Sequence, residues 1–150
     1  MARQRISTPL RWSDMDAYGH VNNVQFLRLL EDARVMAFHG HDSDDGGNVV
    51  ETGVLVARHE IAYLRPLRWR PEPVSIDLWI SSMSAASFDM QYEVLDEEPD
   101  RVVYARAEST LVLYDLNAGR PRRFSDAEKV SLAGWLDEPI SLGRKVRSRA

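Results

Sequence analysis

Arg11-Trp-Ser-Asp14-Met-Asp16-Ala-Tyr18-Gly-His20-Val-Asn22-Asn23-Val-Gln-Phe26-Leu-Arg-Leu-Leu30-Glu31-Asp-Ala-Arg34 is the stretch that decides how the chain is read. It passes from a strand end through a polar loop into an apolar helix. The loop gathers Asp14, Asp16, Tyr18, His20, Asn22 and Asn23 just ahead of that helix. The first N–H groups of a helix have no partner within it, and its dipole makes that end positive. Carboxylates and an imidazole therefore stand beside a natural binding place for an oxygen that gains negative charge.

From Val24 to about Phe38 the apolar residues recur with the helical period. Phe26, Leu30, Ala33 and Ala37 form one stripe, Leu27, Leu29 and Met36 flank it, and Gln25, Arg28 and Asp32 lie opposite. Asn22 or Asn23 is suited to cap the start, and Gly40 to end the helix. Ala33 and Ala37 leave room for a sheet to come close. On the N-terminal side, Gln4 to Trp12 alternates loosely, with Ile6, Leu10 and Trp12 on one side, and Pro9 marks it as an edge strand. On the C-terminal side an acidic loop, His41 to Asn48, precedes a series of strands. Gly53 to Leu64 puts Leu55, Ala57, Ile61 and Tyr63 on one face with His59. Val74 to Ser81, Phe88 to Val94 and Val103 to Leu113 each alternate with a period of two. Ser125-Asp-Ala-Glu128 has the spacing of a capping box and opens a short helix to about Leu136. One helix with a wide apolar face and one sheet with one apolar face satisfy each other. The expected architecture is α+β, a curved antiparallel β-sheet wrapped around a long central α-helix. Its free edges invite a homodimer by strand pairing.

The 150 residues are read as one domain, with a core over about residues 5 to 136 and a basic, flexible C-terminal tail. A formal charge of −4 argues against nucleic acid as a partner. Without any cysteine there is no disulfide, thiolate zinc site or cysteine nucleophile. No apolar run is long enough to span a bilayer, and the first residues lead into a strand rather than a signal-peptide core, so a cytoplasmic location is expected. His39, His41, Asp42, Asp44 and Asp45 lack the spacing of a calcium loop and read as a solvated loop, so no metal site is assigned.

The run Arg11-Trp-Ser-Asp-Met-Asp-Ala-Tyr-Gly-His-Val-Asn-Asn23, followed by Phe26 and Glu31-Asp-Ala-Arg34, resembles the motif of hotdog-fold acyl-CoA thioesterases of the 4-hydroxybenzoyl-CoA thioesterase type. That pattern is roughly Asp-x-Asp-x-x-Gly-His-Val-Asn-Asn-x-x-Tyr and then Glu-x-Ala-Arg; Phe26 departs from it by standing where tyrosine is usual. The resemblance implies a hotdog fold, a homodimer or homotetramer, an active site near the subunit interface, and hydrolysis of an acyl-CoA with no cofactor beyond the coenzyme A of the substrate. By position it makes Asp16 the catalytic carboxylate and Asn23 the residue whose backbone N–H polarises the thioester carbonyl. His20 then orients groups in the site, and Tyr18, Gly19, Val21 and Asn22 are candidates to contact substrate.

Thioester hydrolysis needs an activated oxygen and a place for the oxyanion. Asp16 could serve as general base to water or as nucleophile, and both stay open. No Gly-x-Ser-x-Gly elbow offers another route. Asp14 reads as a loop cap or arginine partner, His59 as a hydrogen-bonded core residue, and Glu31 with Arg34 as an ion pair on one helix face, with Glu31 held in reserve as an acid. Arg65, Arg68, Arg70 and the C-terminal arginines are candidates for the coenzyme A phosphates. A non-catalytic acyl-CoA-binding module and a hotdog-fold enoyl-CoA hydratase are the alternative readings.

Overall fold

The computed structural model describes residues 2–40 and 53–143. The acidic loop from His41 and the basic tail from Arg144 lie outside the described residues. In chain order the elements are β1 (Gln4–Thr8), α1 (Asn23–Gly40), β2 (Val54–Tyr63), β3 (Val74–Met83), β4 (Ser87–Asp96), β5 (Val102–Asp115), a short β6 (Arg120–Pro121) and α2 (Asp126–Ala133). The strands pair antiparallel in the order β1-β3-β4-β5-β2, with β6 beside β5. Alternate residues of β3 (Val74, Ile76, Leu78, Ile80), β4 (Phe88, Met90, Val94) and β5 (Ala105, Ala107, Leu111, Leu113) form one buried layer. Phe26, Leu29, Leu30, Ala33 and Ala37 of α1 pack onto it. The sheet wraps the helix because its inner face and the apolar stripe of α1 bury one another.

Several local expectations are corrected. β1 stops at Thr8, since Pro9 has no N–H for a ladder. Trp12 opens a single 3-10 turn, Trp12–Asp14, and is exposed rather than inward. On α1, Leu27 and Met36 face outward although Leu29 is fully buried. On β2 the register shifts between Val56, opposite Leu111, and Arg58, opposite Thr110, which leaves Ala57 as a bulge. One extra residue reverses the parity of a strand. Val56 and then His59, Ile61 and Tyr63 share the face of Leu111, Ser109, Ala107 and Ala105, whereas Leu55 turns away.

The capping box at α2 forms in both directions: Glu128 N–H donates to Ser125 Oγ at 3.1 Å, and Ser125 N–H donates to the Glu128 carboxylate at 2.8 Å. The helix ends at Ala133, three residues short of the expected Leu136. The chain then crosses to β3, where Trp79 N–H donates to the Glu138 carbonyl at 2.8 Å. That contact explains why Trp79 is fully buried on what the alternation marks as the outer face.

Candidate active site

The loop between the 3-10 turn and α1 is a tight hairpin. Met15 and Val21 bridge antiparallel, Asp16 N–H donates to the His20 carbonyl at 2.8 Å, and Gly19 N–H donates to the Asp16 carbonyl at 3.1 Å. Gly19 has φ 75°, a backbone conformation that a side chain disfavours, while open space surrounds it. The two acids of the loop part ways here. Asp14 is fully buried, accepts from Arg11 N–H at 2.8 Å and meets the Arg28 guanidinium at 2.5 Å. It ties the loop to α1. Asp16 is half-buried, and its Oδ1 accepts from Tyr18 N–H at 2.9 Å and His20 N–H at 3.4 Å. Among the described residues its Oδ2 has no donor. One carboxylate oxygen is thus anchored by the loop backbone, and the other is not.

The start of α1 has matching features. Asn22 is the cap: its Oδ1 accepts from Val24 N–H at 3.0 Å and its carbonyl from Gln25 N–H at 2.9 Å. Asn23 is the first helical residue, and its N–H finds no acceptor among the described residues. Asp16, His20, Val21 and Asn23 line one cleft of about 450 Å³. Its other wall is Phe26, Tyr63 and the segment Leu64 to Leu67. That segment is held by Val21 N–H, which donates to the Leu67 carbonyl at 2.7 Å. The rings of Tyr63 and Phe26 meet in a T-shaped pair, with centroids 5.4 Å apart and planes at 76°.

Of the residues expected to contact substrate, Val21 lines the cleft. Tyr18 and Gly19 are exposed outside its lining in the single chain, and Asn22 is engaged as a cap. The wall from Leu64 to Leu67 reads from sequence only as a break between strands, and Arg65-Pro66 just after the inward Tyr63 is the signal that marks it.

Glu31 and Arg34 form no ion pair among the described residues. Arg34 is buried and donates to the Tyr92 hydroxyl at 3.1 Å, while Glu31 is exposed beside a second, smaller cleft of about 240 Å³. Helical spacing puts the two on one side, but a guanidinium under the helix reaches the sheet first. His59 is exposed rather than a core residue, but its Nδ1 does have a partner, 2.6 Å away in the Oγ of buried Ser109. Desolvation, helped by the charge of Arg34, lowers the His59 pKa, with Glu31 acting the other way. No group of three or more His, Asp or Glu side chains gathers as a metal ligand set among the described residues. No helix among them is long and apolar enough to cross a membrane.

Asp16 and Asn23, at the mouth of α1, thus line one cleft together with the apolar Val21, Phe26, Leu64 and Leu67. The chain belongs to the thioesterase-like superfamily, whose model matches residues 10–136. It is therefore a thioester hydrolase with the α+β hotdog fold. It is similar to the structure of a predicted thioesterase from Bacillus stearothermophilus, with 22% identity and a TM-score of 0.78 over 91% of this chain and 98% of that one. It is also similar to a thioesterase from Thermus thermophilus complexed with coenzyme A and Zn, with 27% identity and a TM-score of 0.72 over 91% and 96%. Compared with curated protein sequences, the chain has no significant match.

Proposed function

We propose that the protein hydrolyses an acyl-CoA to the free acid and coenzyme A, on the pattern of the 4-hydroxybenzoyl-CoA thioesterase type. The observation that carries this reading is the pairing, in one cleft, of the undonated Asp16 Oδ2 with the unaccepted Asn23 N–H. The thioester carbonyl accepts from Asn23 N–H, and charge builds on that oxygen as the carbonyl carbon becomes tetrahedral. Asp16 takes the proton from an attacking water, or attacks the carbon itself and is released by water; either way the C–S bond breaks and the thiolate leaves. His20, which lines the same cleft, orients the carbonyl or water. The route uses no metal and no organic cofactor. A cytoplasmic setting agrees with the absence of cysteine from the sequence.

Of the candidate cations for the coenzyme A phosphates, the C-terminal arginines lie outside the described residues. Arg70 is engaged with Asp96 through both terminal nitrogens. Arg65 and Arg68 are exposed at and beside the cleft, with no carboxylate partner among the described residues. We assign the phosphates to these two. We also assign the β2 edge to a homodimer, since Leu55, Val56, Val24, Val35 and Met36 are exposed apolar side chains on β2 and the adjoining side of α1. Elution of the purified protein as a monomer at micromolar concentration would remove that assignment.

Thiol release from a panel of acyl-CoAs tests the function. Tight acyl-CoA binding without thiol release would favour the binding-module reading, and hydration of an enoyl-CoA would favour the hydratase.

A further inference from the structure

We propose that Tyr63 is a positioning residue whose hydroxyl holds the first peptide of α1, so that the neighbouring Asn23 N–H points steadily into the cleft. The inference rests on the reading above for its consequence, but not for its geometry. The Tyr63 hydroxyl donates to the Asn23 carbonyl at 2.9 Å. That carbonyl belongs to the same peptide unit as Val24 N–H, which donates to Asn22 Oδ1 at 3.0 Å. The Asn23–Val24 peptide is therefore gripped at both ends.

The preceding peptide, Asn22–Asn23, is gripped at its carbonyl by Gln25 N–H at 2.9 Å, and its N–H is the one left without an acceptor among the described residues. Only the dihedrals at Asn23 connect the two planes. Holding the second plane therefore limits how far the free N–H can swing. Terminal helix residues otherwise fray, and a reacting carbonyl is sensitive to small misplacements of its donor.

Several features place this hydroxyl. The bulge at Ala57 returns Tyr63 to the inner face of β2, opposite the small Ala105. The edge contact with Phe26, the residue that lacks the tyrosine hydroxyl of the resembling pattern, sets the ring. The tyrosine is forty positions from Asn23 in sequence, and nothing in either segment alone announces the contact.

The experiment compares wild type, Tyr63→Phe and Tyr63→Leu. Tyr63→Phe keeps the ring contact with Phe26 and removes only the hydroxyl. With one neutral hydrogen bond lost, kcat for thiol release should fall about five- to tenfold. KM should stay within about twofold and the melting temperature nearly unchanged. Independently of activity, the Val24 amide should exchange its hydrogen about five- to tenfold faster than in wild type. Tyr63→Leu should lower both kcat and the melting temperature. Unchanged kcat and unchanged Val24 exchange in Tyr63→Phe would overturn the proposal, as would a loss of kcat that merely follows a fall in melting temperature. A wild type that releases no thiol would defeat the proposed function, and the exchange measurement would then decide the positioning role alone.

Discussion

Replacing Asp16 by asparagine separates chemistry from folding better than any other single change. In the native loop Oδ1 accepts the Tyr18 and His20 N–H groups at 2.9 and 3.4 Å, and Oδ2 has no donor among the described residues. The asparagine carbonyl reproduces the first role, so the hairpin and the entry to α1 persist. The amide NH2 takes the place of the free oxygen, and neither a base nor a carboxylate nucleophile remains. Loss of a positioned general base costs about 10²–10⁴ in rate, which at about 1.36 kcal/mol per tenfold is about 2.7–5.4 kcal/mol of transition-state stabilisation. Stability should change by less than about 1 kcal/mol, since the substitution is partly exposed and keeps its acceptor. Asp16→Ala removes both accepted hydrogen bonds and should lower stability by a further ~1–2 kcal/mol while losing no more activity. The assay is thiol release with a chromogenic thiol reagent, read as kcat, beside a thermal melt of each variant. If Asp16→Asn retained a kcat within about threefold of wild type, a carboxylate-based route through Asp16 would be refuted, however well the fold survived.

Asp14, two residues earlier, should behave in the opposite way. Asp14→Ala leaves the Arg28 guanidinium without its buried partner and should cost about 3 kcal/mol, roughly 6–12 °C in melting temperature; a melt unchanged within error would show that this pair is not structural. Asp96 has its pKa lowered from 3.8, mainly by the hydrogen bonds from Arg70, with burial opposing and Tyr104 assisting. A carboxyl depressed on folding stabilises above its unfolded pKa and loses that contribution as pH falls through the folded value. Asp96→Asn should therefore be less stable than wild type at pH 7, and the gap should close on acidification below 3.8; urea melts across that range check it, and a gap independent of pH would contradict it. The double variant Arg65→Ala/Arg68→Ala should raise KM for acyl-CoA about tenfold with kcat little changed and a weaker dependence of KM on salt; an unchanged KM would place the phosphates elsewhere.

The elements legible in the sequence are those whose signal is local. Helical spacing of Phe26, Leu30, Ala33 and Ala37 specifies a buried stripe whatever it packs against, and those residues are buried in α1. The alternation of Val74, Ile76, Leu78 and Ile80, like that of Phe88, Met90, Tyr92 and Val94, likewise names the side of each strand that joins the core. The capping box at Ser125 and the asparagine cap of α1 also concern neighbours a few residues apart. The loop that carries Asp16 and His20 stands out as a cluster of reactive side chains on the same grounds.

Contacts between distant segments are decided only by the tertiary structure. The bulge at Ala57 puts Val56 rather than Leu55 on the face that His59, Ile61 and Tyr63 share, and that parity depends on the register against β5 rather than on the composition of β2. Arg34 reaches Tyr92 instead of Glu31 because the sheet beneath the helix offers a buried hydroxyl that helical spacing cannot reveal. Trp79 alternates like an outward residue and is buried by a chain segment some sixty positions later. The opposite fates of Asp14 and Asp16, one enclosed by arginines and one opening on a cleft, follow from where α1 and the Leu64–Leu67 segment come to lie. Periodicity encodes which surface a segment must hide; which partner hides it is settled when strands choose their register, and the geometry of the cleft follows from that choice.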